Sequence, residues 1–303
     1  MVYTLFFVYL VFCALLSIKT RANHFVLFTI MVFLFAIIGL RNTTVGTDTL
    51  GYTQDFSEFS QLQFAQMWRI ALESKEPLYI IISWLTSLFS ENYTAYLLVW
   101  ALFHVISLYK VFKTELSNGM DYMIAILVFY MLGLFAFFVA GIRQTAALSL
   151  TFAGAMYLAR IDTLSLKYFI KDKNLYIFLL HIVIAYLIHN SALMFLLAIP
   201  CLFIKVRWWF LLLAGGLFFL GKHIHIDQIV GISTMLFNDR FSSYGTTYES
   251  TQSTSAFIMQ FLLFIICFTR INRLEAQDKR NDFLLVLLFV GLIFQSLSGL
   301  LAE

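Results

Sequence analysis

Residues 121–160 read DYMIAILVFYMLGLFAFFVAGIRQTAALSLTFAGAMYLAR, and this stretch decides the fold class. Between Met123 and Leu158 it carries one charged side chain, that of Arg143. A single helix of this length would extend about 60 Å, twice the hydrocarbon thickness of a bilayer. We therefore predict two membrane helices that meet near Gly141 and Arg143.

The whole chain has the composition of a membrane protein. Of its 303 residues, 61% are hydrophobic and 12% are charged, whereas soluble domains carry about 25% charged residues. The net charge of +3 is small and the basic residues lie in short clusters between apolar runs. The three cysteines also lie inside apolar runs, without the spacing of a disulfide framework or a metal site. Composition thus excludes a soluble domain and does not favour nucleic-acid binding.

Apolar segments recur along the chain. We predict membrane segments at 2–18, 24–40, 76–90, 93–113, 121–140, 143–160, 174–188, 190–204, 207–221, 255–270 and 283–300. The longer polar stretches between them are 41–75 and 222–254. The predicted fold is all-α: a polytopic transmembrane helical bundle of about 10–11 segments. We expect residues 1–303 to form a single integral membrane domain, with both polar stretches as external loops.

The distribution of Lys and Arg orients the predicted bundle. Basic residues mark the cytoplasmic side of membrane proteins. Most of the 20 Lys and Arg residues fall on one side if residues 19–23 are cytoplasmic and segment 76–90 is re-entrant. The residues that interrupt the hydrophobic pattern then lie at the outer boundary, which predicts a single external site. This placement depends on segment 76–90 not crossing the membrane.

The first polar stretch opens with GLRNTTVGTDTLGY at 39–52. Arg41, at the end of a predicted span, can bind a phosphate, and Asp48 can accept a proton from a hydroxyl. Gly46 would allow the backbone to turn between them. The spacing alone fits equally a solvated loop in which Asp48 caps a short helix.

Three further candidates lie where predicted helices begin or end. Glu76 precedes Pro77, which favours the first helical turn. Arg143, followed by Gln144, is costly within a membrane unless it is paired or functional, or snorkels to the lipid headgroups. His189 stands at a break between apolar runs, where it can act as acid, base or phosphate donor, or simply bridge two helices.

The second polar stretch, 222–254, carries weaker signals. Its HIHID run at 223–227 is too short a pattern to predict a metal site. Arg240 is a further candidate to bind a phosphate or a carboxylate. No phosphate-binding loop, dinucleotide fingerprint or nucleophile elbow occurs in the sequence, so we predict neither a cofactor nor a metal.

Four motifs, in order, resemble the EpsG family of membrane polysaccharide polymerases, also described as Wzy-type. They are GLRNTTVGTDTLGY at 39–52, EPLY at 76–79, RQ at 143–144 and HNSAL at 189–193. The first motif is the most specific, and the other three gain weight from their order. Together they cover about residues 30–200, and the hydrophobic architecture extends the similarity over most of the chain.

The resemblance implies a reaction at the outer face of the cytoplasmic (inner) membrane. A glycan would be transferred as a block from undecaprenyl diphosphate to the non-reducing end of another lipid-linked repeat unit. The catalytic candidates are Asp48, taken first as the base, with Glu76 and His189 behind it. The diphosphate- or substrate-binding candidates are Arg41, Tyr52, Arg143, Gln144 and Arg240. The implied partners are the undecaprenyl-diphosphate-linked oligosaccharide, membrane lipid, a chain-length regulator and a flippase of the same pathway.

Two other functions use part of the same residue set. A transporter or flippase of lipid-linked glycan would use the arginines and need no base. A membrane acyltransferase that modifies a glycan would use His189 as its base, although no acyl-donor motif supports it.

Overall fold

The computed structural model describes residues 2–19, 23–46, 48–132, 138–162, 165–223, 254–273 and 279–297. Within these ranges every regular element is a helix, so the prediction of an all-α chain is confirmed for them. Contacts between residues divide the chain into two compact units, Met1–Leu197 and Ala198–Glu303. A single membrane domain remains a prediction.

The first unit contains ten α-helices and a 3-10 helix whose bounds lie among the described residues. They are α1 (Val2–Lys19), α2 (Asn23–Gly39), α3 (Thr49–Ser60), α4 (Phe64–Glu73), α5 (Pro77–Ser87), α6 (Tyr93–Glu115), α7 (Gly119–Met131), α8 (Ile142–Leu158), the short α9 (Leu166–Phe169), α10 (Lys173–Ile188) and the 3-10 helix Asn190–Leu197.

Helix α8 lies at the centre of this unit, packed against α6 and α10. Its buried face is rich in small residues, which allow neighbouring helices to approach closely. At Gly154, a Cβ atom would stand 3.0 Å from the Cβ of His181 on α10. The close packing of α8 against α10 therefore favours glycine at this position. The same packing fixes the first turn of α8 relative to the end of α10.

Both predicted breaks in the long apolar runs coincide with helix ends. Helix α8 begins at Ile142, directly after Gly141. Helix α10 ends at Ile188, and the chain continues from Asn190 as a 3-10 helix. The segment 190–204, predicted as one membrane helix, instead divides into this 3-10 helix and a four-residue α-helix. Each break places a polar side chain, Arg143 or His189, at the end of an apolar helix.

The polar stretch 41–75 contains two helices, α3 and α4. Gln63 and Gln66 form a reciprocal capping box at the start of α4. Helix α4 buries Met67 against α5 and exposes Trp68, the pattern of a helix at an interface. Helix α5 has 11 residues and is about 16 Å long. That length is about half of a hydrocarbon core, and the re-entrant course of segment 76–90 remains a prediction.

One described helix, Tyr93–Glu115, is long and apolar enough to cross a membrane. Shorter apolar helices of 10–17 residues lie at His24–Gly39, Pro77–Ser87, Gly119–Tyr130, Lys173–Ile188, Asn190–Cys201, Trp209–Phe219 and Phe257–Arg270.

The second unit is built on aromatic packing. Its described helices are α11 (Ala198–Cys201), α12 (Trp209–His223), α13 (Thr254–Arg273) and α14 (Lys279–Leu297). Helices α12 and α13 both pack against α14. The ring of Phe289 on α14 lies 4.6 Å from that of Phe210 and 5.8 Å from that of Phe264.

Candidate functional site

The carboxylate of Glu76 joins three segments that are distant in the sequence. Its Oε2 accepts a hydrogen bond from Nη1 of Arg143 at 2.8 Å. Its Oε1 lies 2.7 Å from Nδ1 of His189 and accepts a weaker bond from the backbone N–H of Asn190 at 3.2 Å. Three of the predicted site residues are thus in direct contact, and we call Glu76, Arg143 and His189 the central cluster.

Local sequence explains why Glu76 occupies this position. Pro77 fills the first position of α5, where its missing N–H costs nothing, and so Glu76 stands just before the helix. The backbone N–H of Glu76 donates to Oγ of Ser74 at 3.0 Å. A helix N-terminus carries a partial positive charge, so it stabilises the carboxylate of Glu76.

The guanidinium of Arg143 lies between a carboxylate and two aromatic rings. Its Cζ is 4.7 Å from the ring centre of Tyr79 and 5.4 Å from that of Tyr52, distances at which a cation is attracted to a π-system. The side chain of Arg143 is 34% exposed, against 13% for Glu76. The arginine is therefore held in place while part of its side chain remains accessible.

His189 follows the last residue of α10 and has extended backbone angles. Its backbone N–H still donates to the carbonyl of Ala185, so the side chain is fixed relative to the helix end. An ionised carboxylate can only accept hydrogen bonds, so Nδ1 of His189 is the donor in this contact. In the neutral form of the ring, Nε2 carries the lone pair that can accept a proton.

The environment of Glu76 keeps its carboxylate ionised. Burial by itself raises the pKa of Glu76, but the hydrogen bonds from His189 and Asn190 and the charge of Arg143 outweigh it. The net result is a pKa below the ordinary value for a glutamate. The cluster therefore pairs a stable carboxylate with a histidine that can exchange a proton and an arginine that can bind an anion.

A chain of hydroxyl groups supports the cluster and was not predicted from the sequence. The hydroxyl of Tyr79 donates to Oδ2 of Asp55 at 2.9 Å, and the hydroxyl of Tyr96 donates to that of Tyr79 at 3.1 Å. These bonds tie α3, α5 and α6 together beside Arg143. The sequence offered one signal for Asp55 and Tyr79, which is their spacing from predicted site residues. Asp55 lies three residues after Tyr52, and Tyr79 lies three residues after Glu76, the spacing of neighbours on a helix.

Arg41 lies in a half-buried position after the end of α2. Its Nη1 donates to the carbonyl oxygen of Ile38 at 2.6 Å. Its charge also interacts with Tyr52, Tyr93 and Tyr96. Burial lowers the pKa of Arg41, and these three tyrosines offset part of the effect.

Asp48 is exposed and stands at the N-cap of α3, but its side chain makes no capping hydrogen bond. The pKa of the Tyr52 hydroxyl is raised, chiefly by burial. The positive charge of Arg143 lowers this pKa, and the negative charge of Asp48 raises it. Asp48 therefore belongs to the surroundings of Tyr52. The structure brings Glu76 and His189, and not Asp48, into the central cluster.

Gly46 brings the Arg41–Asp48 segment close to the start of α8. Its φ angle of +102° is one that side chains with a Cβ rarely adopt. A Cβ atom there would also meet the carbonyl oxygen of Val139 at 2.6 Å and Cα of Ala140 at 3.2 Å. The predicted turn at Gly46 is present, and it packs against the backbone just before Arg143.

The remaining site candidates are Gln144 and Arg240. Gln144 is exposed on the first turn of α8, next to Arg143 in the sequence. Arg240 and the 224–227 part of the HIHID run lie outside the described residues, as does Thr47 of the first motif. Among the described residues, no group of three potential metal ligands was found.

Comparison with known proteins assigns the family. The EpsG family model matches residues 24–301, nearly the whole chain. The chain belongs to the EpsG family. The resemblance predicted from the four motifs is therefore confirmed. Membership suggests a helical membrane protein with a polymerase-type function in exopolysaccharide biosynthesis. Neither the curated proteins nor the solved structures contain a match to this EpsG-family chain.

Proposed function

We propose that this EpsG-family protein is a membrane glycosyltransferase that polymerises lipid-linked oligosaccharide repeat units. It transfers the glycan as a block from undecaprenyl diphosphate to the non-reducing end of another lipid-linked repeat. The observation that carries the proposal is the central cluster, in which one carboxylate contacts both a histidine and an arginine. This combination provides a base for the acceptor and a cation for the leaving diphosphate.

His189 is the base in this proposal. The acceptor hydroxyl loses its proton to Nε2 of His189, while its oxygen forms a bond to the anomeric carbon of the donor. Glu76 accepts from Nδ1 and stabilises the imidazolium that forms, as carboxylates do beside catalytic histidines. The sequence favoured Asp48 for this role, but its exposed position makes it the weaker candidate.

Arg143 stabilises the leaving group. The bond between the anomeric carbon and the diphosphate oxygen breaks, and negative charge develops on undecaprenyl diphosphate. A guanidinium held by Glu76 and two tyrosine rings needs little reorganisation to meet that charge. The carrier already activates the sugar, so the reaction needs no cofactor.

The surface of the first unit supports a membrane location. Helix α1 exposes five large hydrophobic side chains, those of Leu5, Phe7, Val8, Val11 and Phe12. Soluble monomers rarely expose such a contiguous apolar patch. We place the protein in the cytoplasmic (inner) membrane as a multi-pass bundle, with the site facing the periplasm or exterior. Its partners there are the lipid-linked oligosaccharide, membrane lipid, a flippase and a chain-length regulator.

A complementation experiment tests this function. Cells that lack the native gene receive the wild type, His189→Gln, Glu76→Gln or Arg143→Gln, and the glycan chain lengths are read as a ladder. We expect single repeat units to accumulate at the outer face with all three variants. The matched controls His24→Gln, Glu73→Gln and Arg69→Gln replace exposed residues and should keep the full ladder.

The same experiment separates the alternatives. Accumulation of single units on the cytoplasmic side would favour a transporter or flippase. Full-length glycan that lacks an acyl substituent would favour an acyltransferase. An intact ladder in both the His189 and the Arg143 variants would contradict the proposed site.

A further inference from the structure

Four buried side-chain nitrogens have no hydrogen-bond partner in the described part of the chain. They are Nε and Nη2 of Arg41, Nε1 of Trp100 and Nε of Arg143. All four are donors, and none of these groups can accept a hydrogen bond. Buried polar groups in proteins nearly always have a partner, so four unpaired donors point to an acceptor that the chain itself does not supply.

Trp100 lies on α6 between Tyr96 and His104. It follows Tyr96 by one helical turn and precedes His104 by another, so the three side chains share one face. The charge of Arg41 acts on both Tyr96 and His104, which flank Trp100. Trp100 is 1% exposed, so its indole N–H donor is enclosed by protein.

The ring of Tyr79 connects Trp100 to Arg143. The centre of this ring is 5.7 Å from that of Trp100 and 4.7 Å from the guanidinium carbon of Arg143. The unpaired donors thus belong to side chains arranged around the same group of tyrosines. They lie next to the central cluster, which contains Arg143.

Some nearby acceptors already receive hydrogen bonds from other donors. The carboxylate of Asp55 accepts from Tyr79, and the hydroxyl of Tyr79 accepts from Tyr96. The hydroxyl of Tyr93 donates to the carbonyl of Thr49 at 3.2 Å. The ion pairs among the described residues do not include Arg41. Arg143 is paired with Glu76, whereas the half-buried guanidinium of Arg41 has no carboxylate partner among the described residues, and an anion with several acceptor oxygens would supply one.

We propose that Arg41, Trp100 and Arg143 form a buried oxyanion subsite that binds a phosphoryl group of a diphosphate. The inference rests on the proposed function in taking the leaving diphosphate as the natural occupant. It adds Trp100 as a binding residue beside Arg41 and Arg143. A phosphoryl oxygen accepts hydrogen bonds from indole and guanidinium N–H donors together, and the two arginines balance its charge.

Inorganic pyrophosphate binding by the purified full-length protein in detergent tests the subsite. The measurement is the apparent Tm at increasing pyrophosphate concentration, because a ligand that binds only the folded state raises Tm. We expect pyrophosphate to raise the Tm of the wild type. Trp100→Phe, which keeps an aromatic ring but loses the N–H, should need about tenfold more pyrophosphate, as expected for losing one charge-assisted hydrogen bond.

Trp84→Phe is the matched control. Its Nε1 donates to the carbonyl of Leu62 at 2.9 Å, so removing this N–H should leave the pyrophosphate response unchanged even if the baseline Tm falls. Arg41→Lys provides a second variant should Trp100→Phe fail to fold. It keeps the charge but loses the planar donor set, and it should weaken the response by a similar factor.

Other outcomes test whether the subsite exists and identify the molecule that supplies its phosphoryl group. A rise in Tm with phosphatidylglycerol but not with pyrophosphate, lost in Trp100→Phe, would support the subsite and assign its phosphoryl group to a lipid headgroup. No response of the wild type to either probe, or equal responses in wild type and Trp100→Phe, would overturn the proposal. The glycan ladder is scored separately, so a pyrophosphate response that depends on Trp100 stands even if the polymerase reaction is rejected.

Discussion

Nδ1 of His189 lies 2.7 Å from Oε1 of Glu76, although 113 positions separate the two residues in the sequence. Two helix ends create this contact: Glu76 precedes α5, and His189 follows α10. Packing of α10 against both α5 and α8 brings these ends together with the first turn of α8, which carries Arg143. The cluster is thus a product of where three helices begin or end.

Glu76→Ala should destabilise the first unit. The change removes the carboxylate that Arg143, His189 and the N–H of Asn190 all contact. We expect the free energy of unfolding to fall by about 2 kcal/mol, since Arg143 is partly solvated and regains water contacts. Chemical denaturation in detergent measures the change. Glu73→Ala, at an exposed position, should shift it far less, and equal losses would contradict the structural role of Glu76.

Acid stability should depend on Glu76. The pKa of Glu76 is lower in the folded protein than its ordinary value, so ionisation of this group stabilises the fold. That contribution is complete above the ordinary glutamate pKa, about 4.3, and is lost as pH falls through the lower folded pKa. Tm measured between pH 3 and pH 6 should fall less steeply in Glu76→Gln than in the wild type. Parallel curves would show that Glu76 is not the group responsible.

Gly46→Ala should disrupt the turn that places Arg41 and Asp48 near α8. The added Cβ would be strained at φ +102° and would collide with the backbone of Val139. We expect a loss of about 1–3 kcal/mol in unfolding free energy and a shortened glycan ladder. Gly51→Ala is the control, because its Cβ meets no atom within 4 Å and α3 gains a better helix former. If both variants behave alike, the packing of Gly46 is unimportant.

Tyr79→Phe should separate the role of the aromatic ring of Tyr79 from that of its hydroxyl. The ring stays in place beside Arg143, but the hydroxyl that joins Asp55 to Tyr96 is lost. We expect a loss of about 1 kcal/mol in unfolding free energy, since Asp55 keeps some access to water. The equivalent change at Tyr176, whose exposed hydroxyl donates to the carbonyl of Ile170, should have a smaller effect. Thermal unfolding of both variants provides the comparison.

Much of the helical framework could be predicted from hydropathy, because apolar runs, breaks and proline positions are local properties. The start of α8 at Ile142 and the end of α10 at Ile188 follow from Gly141 and from the polar residues that interrupt those runs. The 3-10 helix after His189 could not be predicted, since its sequence is as apolar as an α-helical span.

The site was predictable only in part. Glu76, Arg143 and His189 stood out because polar side chains are rare at the ends of apolar helices. Their pairing through one carboxylate is a tertiary contact that hydropathy does not encode. Asp55 and Trp100 were missed for a different reason: Asp55 is one polar residue among many on α3, and Trp100 looks like any buried aromatic residue until its unpaired N–H is seen.

The most direct test is the polymerisation rate of the purified protein with lipid-linked repeat units, followed by chain length and by release of undecaprenyl diphosphate. Loss of a general base typically costs about 10²–10⁴ in rate. We therefore predict that His189→Gln lowers both the rate of chain elongation and the rate of undecaprenyl diphosphate release at least about a hundredfold. His24→Gln should keep the wild-type rates. An unchanged rate in His189→Gln, with the protein folded, would contradict the account.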